Sequence, residues 1–116
     1  MFRARTSVKA KVSDIHAVLV NMEVRKRWET ILFDMTSFDT TADMSYQKVY
    51  YVYRSPFGVT DRDFLQFQKV WFDFPEKDMM TVFFKSIVDE RFPEMKHRVR
   101  ATCFIMALVC QPAKDE

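Results

Sequence analysis

The chain has 116 residues, 48% of them hydrophobic and 29% charged, which is enough apolar matter for one core and too much for a disordered segment. Eighteen basic against 16 acidic residues leave a net charge of +2, and so near a balance gives no electrostatic case for nucleic acid. No apolar run approaches the length that spans a bilayer, and the N-terminal residues lack the apolar core of a secretory signal, so the expected compartment is the cytoplasm.

From Phe2 to Val12 basic or polar residues alternate with apolar ones, the period of a strand with one wet face. At Ser13 the period changes. Ile15, Val18, Leu19 and Met22 recur at helical spacing behind Ser13, a good N-cap, and predict a helix of about two to three turns. Basic residues follow, and Trp28 closes the segment as an expected core anchor where helix meets sheet.

Two strands come next, Ile31–Phe38 and Tyr46–Arg54, joined as a hairpin, with Val49, Tyr51 and Tyr53 on one face. Ser55-Pro56-Phe57-Gly58 then forms a turn around the only glycine of the chain. Beyond it Phe64–Phe74 reads as a strand, with Leu65, Phe67 and Trp71 on one face and Gln66, Gln68, Val70 and Phe72 on the other. Met79–Val88 is the next, a loop from Asp89 to Lys96 follows, and Arg98–Val109 is the last. One helix followed by antiparallel strands is an α+β layout.

Reactive chemistry is scarce. His16 and His97 have no ligand-type neighbour at metal spacing, and a single glycine precludes a phosphate-cradling loop, so no metal and no cofactor are expected. Cys103 and Cys110 fall in the last apolar run and read as reduced, buried thiols. Asp61 and Asp63 flank Arg62 and read as a structural cluster in preference to an acid–base pair. Twelve Phe and eight Met exceed the usual needs of so small a core, and methionine suits an adaptable cavity.

Three segments resemble one family. SPFGVTDRDFLQF, from Ser55 to Phe67, resembles the Pro-containing turn and Arg-Asp-Phe step of the START domain, the steroidogenic-acute-regulatory-protein-related lipid transfer family. NMEVRKRWE, from Asn21 to Glu29, is similar to its basic helix end before a Trp. FPEMKHRVRA, from Phe92 to Ala101, is similar to its approach to a late strand. The resemblance implies a helix-grip fold: a curved antiparallel sheet with an N-terminal helix, closing on a long C-terminal helix over a tunnel for one lipid. That closing helix has no counterpart here, so the chain is expected to be a single START-like domain, truncated to roughly its middle half.

A lipid carrier needs apolar walls and a few polar groups. Tyr50, Tyr51, Tyr53, Phe67, Trp71, Met80, Phe83, Phe84, Phe104 and Met106 are the candidate wall, with Trp28 joining it on the family reading. The resemblance carries Arg62 and Asp63 over as an ion pair near the cavity entrance. Gln66 and Gln68 are candidates to hydrogen-bond a hydroxyl or ester. No charged pair shows in these strands, which points to a neutral or zwitterionic lipid. The expected function is binding, with intermembrane transfer, of one sterol, ceramide or phospholipid, without enzymatic activity. Its partners are a lipid, a transient membrane surface and further copies of the chain, which self-associate through the uncovered apolar face. The alternatives are a protein-interaction or regulatory remnant and a cyclase-like enzyme that would use Asp61 and Asp63.

Overall fold

The structure, a computed structural model, describes residues 2–113, the side chains of Val20 and Met22 excepted. Helix α1 spans Val12–Val20. Its N-cap is Lys11, not Ser13, and the Asp14 carboxylate accepts from the Lys11 backbone N–H at 3.4 Å, tying down the first turn. Val12, Ile15 and Leu19 form the inward stripe, while Val18 stands outside it. Asn21 leaves the helix in an extended conformation and restarts it: its side chain accepts from Val24 N–H, capping α2, Met22–Trp28. The expected single helix is therefore two short ones with a corner at Asn21.

Strands β1 (Leu32–Phe38), β2 (Tyr46–Tyr53), β3 (Arg62–Phe72), β4 (Met80–Ser86), β5 (Val99–Arg100) and β6 (Met106–Cys110) make one sheet. Its order is β1-β2-β3-β4-β6, antiparallel throughout, and β5 pairs in parallel with Arg62 and Asp63 at the start of β3. The predicted final strand Arg98–Val109 is thus two separate pieces. β4 begins pairing with β3 only at Gln66, and β5 fills the vacant length of β3 before the chain crosses to the outer side of β4.

Residues 2–11 form no strand. Their alternation is present, but no strand of the sheet takes them as a neighbour, and Phe2 and Val8 stay in solvent. The predicted β1–β2 hairpin is formed, in register from Leu32↔Tyr53 to Phe38↔Lys48 with a bulge between Leu32 and Asp34.

Alternation divides the sheet residues between two faces. On one, Met80, Val82, Phe84, Val70 and Cys110 receive α1, and Leu32, Met35, Val49 and Tyr51 continue the layer toward Phe64 and Tyr53. On the other, Tyr50, Val52 and Leu65 are covered by Phe38, Ile87 and Phe92. No helix follows β6 among the described residues.

Candidate functional site

A cavity of about 690 Å³ lies between the helices and the first of these faces. Leu19, Trp28, Ile31, Phe64, Phe84, Met106 and Leu108 give it an apolar lining, and Arg54, Ser55 and Pro56 of the β2–β3 loop reach its rim. Trp28 and Ile31 at one margin and Met106 and Leu108 at the other retain substantial solvent exposure, so the cavity is open to solvent at both.

Four of its polar side chains are hydrogen-bonded together in one place. Arg25 and Glu29 stand one turn apart on α2 and pair at 2.7 Å, with both side chains mostly buried. Arg25 also donates through Nη1 to the Tyr51 hydroxyl at 2.9 Å and through Nη2 to that of Tyr53 at 3.4 Å. Tyr53 donates in turn to Glu29 Oε2 at 3.0 Å. Val49, Tyr51 and Tyr53 lie on the helix-facing side of β2, which is why two tyrosines two residues apart both meet α2.

Burial works against the Arg25 charge, but Tyr51 and Glu29 outweigh it and hold its pKa above the ordinary arginine value. Burial raises the Tyr51 hydroxyl. Burial, with Glu29 beside it, pushes Tyr53 up to about 12 against the opposing charge of Arg25. Arg25, Glu29 and the two tyrosine hydroxyls thus form one hydrogen-bonded cluster, and Arg62 and Gln66 of β3 and Arg54 at the rim add further polar atoms to a lining that is otherwise mostly apolar.

No protein-family model matches the chain, and no curated protein is similar to it in sequence. Solved structures are similar to it in three dimensions. Human STARD10 superposes with a TM-score of 0.75 at 19% identity over 85% of this chain and 39% of that one. The human StarD13 (DLC2) lipid transfer and protein localization domain does so with a TM-score of 0.78 at 22% identity over 93% of this chain and 52% of that one. The chain has the START fold. It spans about half or less of the length of these two structures.

Within the START fold the candidate residues separate sharply. Trp28, Tyr51, Tyr53, Arg62, Gln66, Phe84 and Met106 line the cavity. Trp28 is not the core anchor expected of it: 49% exposed, it stands at one open margin of the cavity. Gln68 and Met80 are on the cavity face but sealed in the core, Gln68 against Gln47 and Met80 beneath α1.

Asp63 and Phe67 are on the opposite face from Arg62, because alternate residues of one strand point opposite ways. The expected Arg62–Asp63 ion pair does not form; fully buried Asp63 pairs instead with Arg100 at 2.8 Å and accepts from the Tyr50 hydroxyl at 2.6 Å. Tyr50 belongs to that far side as well. So do Trp71 and Phe83, whose rings meet at 6.4 Å. Phe104 lies in the connection before β6, 82% exposed.

Asp61 accepts from Ser55 N–H and closes the base of the β2–β3 loop, so neither it nor Asp63 offers an acid–base group to the cavity. Cys103 precedes β6, half-buried at the cavity lining, and Cys110 is buried beneath α1; both are free thiols.

Arg25 and Glu29 were missed by sequence reasoning, which sought a charged pair in the strands. The signal was an opposite-charge i,i+4 pair on the helix ending at Trp28. Among the described residues no group of His, Cys, Asp and Glu could hold a metal ion, and no helix is long and apolar enough to cross a membrane.

Proposed function

We propose that the chain binds one lipid, a sterol, ceramide or phospholipid, with its apolar part along Phe64, Phe84, Met106 and Leu108 and its polar end at Arg25, Glu29, Tyr51 and Tyr53. The observation that carries this reading is the cavity itself: about 690 Å³ of mostly apolar space with one hydrogen-bonded cluster of polar side chains on α2 and β2, and Arg62 and Gln66 beside it on β3. That volume is in the range of ligand sites, roughly 300–1,000 Å³. Each methylene withdrawn from water there contributes about 0.8 kcal/mol. The Arg25–Glu29 pair suits a neutral or zwitterionic headgroup, and Arg62 and Arg54, in no ion pair among the described residues, would attract the phosphate of a zwitterionic one.

One solved neighbour is described as a lipid transfer domain, which supports carrying transfer over to this chain. Exchange with a membrane would run through the β2–β3 loop, where Phe57 is fully exposed beside the rim residues Arg54, Ser55 and Pro56. A cytosolic, non-enzymatic carrier made of one START-like domain completes the reading. Its two free thiols support the compartment, and the engagement of Asp61 and Asp63 elsewhere supports the absence of catalysis.

Native mass spectrometry of gently purified and delipidated protein tests it. One lipid per chain, with saturable uptake from vesicles, is the expected result. Arg25→Met and Glu29→Gln should each weaken uptake of a zwitterionic phospholipid by about 10- to 150-fold, in line with the ~1.5–3 kcal/mol of a charge-assisted hydrogen bond. Delipidated protein that takes up no sterol, ceramide or phospholipid would overturn the reading.

A further inference from the structure

We propose that the outer edge of β6 pairs antiparallel with β6 of a second copy of this chain, and that each copy thereby extends the cavity wall of the other.

The sheet has two edges, and they differ in kind. β1 carries the devices that blunt an edge: a bulge between Leu32 and Asp34, and the exposed Asp34 carboxylate facing Lys26. β6 carries none. From Phe104 to Cys110 the sequence reads FIMALVC, without a charge, a proline or a glycine. Nothing among the described residues pairs with its outer side. The same stretch collects exposed apolar side chains, Phe104, Ile105, Met106, Leu108 and Val109. Their burial in two copies would withdraw on the order of 1,000 Å² from water, the lower bound for a specific interface.

The occupant is a second copy because the edge complements itself. A two-fold axis at Leu108 sets Leu108 opposite Leu108, Met106 opposite Cys110 and Ala107 opposite Val109, so every cross-strand pair is apolar and none sets like charges together. Directly opposed residues share a face, so the partner's Leu108 and Met106 continue the surface that Met106 and Leu108 present to the cavity. The β6 margin of each cavity then adjoins that of the other across the axis. This extension of the wall rests on the lipid-binding reading; the strand pairing does not.

Light scattering and sedimentation at micromolar concentration test the pairing. A mass of twice 13.9 kDa is expected. Leu108→Lys and Leu108→Glu, which oppose like charges across the axis, should each give single chains, and mixing the two should restore the pair. Hydrogen exchange on the unaltered chain gives a second reading: protection over Met106–Cys110 should rise with protein concentration. A single-chain mass, exchange in β6 that ignores concentration, or variants that stay paired would overturn the proposal. A paired chain that takes up no lipid upholds the pairing and overturns the lipid reading, whereas a single chain loaded with lipid does the reverse.

Discussion

Arg100 donates to Asp63 at 2.8 Å on the face of the sheet turned away from the cavity, while Arg62, one residue before Asp63, lines the cavity. The Arg-Asp step of the sequence is therefore two separate devices back to back. Asp63 also accepts from Tyr50, and Arg100 donates to the Phe92 and Pro93 carbonyls, so this ion pair pins the long β4–β5 connection against the sheet. Asp63→Ala leaves Arg100 without its carboxylate and should cost about 3–5 kcal/mol. Urea unfolding should show that loss, and the surviving folded fraction should bind lipid as the parent does. An unchanged midpoint would remove the pair from the account of stability.

The tyrosines make stability fall in alkali. Tyr53 is held at about 12 by burial and by Glu29, and Tyr50 and Tyr51 are raised by burial, against an ordinary value of 10.0. A raised folded pKa means that the folded chain holds the proton more tightly. Its contribution is complete below pH 10.0 and declines as pH rises through about 12. Phenolate absorbance followed with circular dichroism should show late ionisation that coincides with unfolding. Ionisation of all the tyrosines near the ordinary value, with the fold intact, would refute the assignment.

Gly58 occupies the third position of the Pro56–Val59 turn at φ 84°, and a Cβ there would meet nothing within 4 Å. Replacement by alanine costs conformational strain alone, about 1–2 kcal/mol. Asparagine, which tolerates the left-handed region, should cost less. Thermal melts of Gly58→Ala and Gly58→Asn should fall in that order; equal melting temperatures would mean that the turn relaxes.

The two thiols should react at different rates. Cys103 is half-buried at the cavity lining, whereas Cys110 is sealed beneath α1 and burial pushes its pKa up. Maleimide should label Cys103 at least about tenfold faster, since reaction follows exposure and thiolate fraction. Bound lipid should slow Cys103 and leave Cys110 unchanged. Faster labelling of Cys110 would contradict the packing of α1.

The strands of the central hairpins were legible because aromatic and β-branched residues crowd Tyr46–Tyr53 and Arg62–Phe72 on either side of a turn-forming Ser-Pro-Phe-Gly. The faces were not, since alternation says which residues lie together and not which side receives the helix; Phe67 and Phe84 read alike, yet they ended on opposite sides. The segment Phe2–Val12 shows the converse, a pattern without a partner strand. In Arg98–Val109 the pull came from elsewhere: Arg100 is drawn to Asp63 and Arg98 to Tyr50, which sets β5 beside β3 and breaks the run. The polar cluster stayed hidden because it is spread over a helix and a strand 24 to 28 residues apart.

That cluster has a temporal consequence. All four of its side chains belong to the first 53 residues, within α2 and the β1–β2 hairpin. The apolar wall waits for Phe84, Met106 and Leu108. During synthesis from the N-terminus, every side chain of the group that would select a headgroup has been made before the first residue of the wall strands β4 and β6 that would retain the tail. On the lipid reading, the headgroup contacts exist before the wall that would enclose the tail.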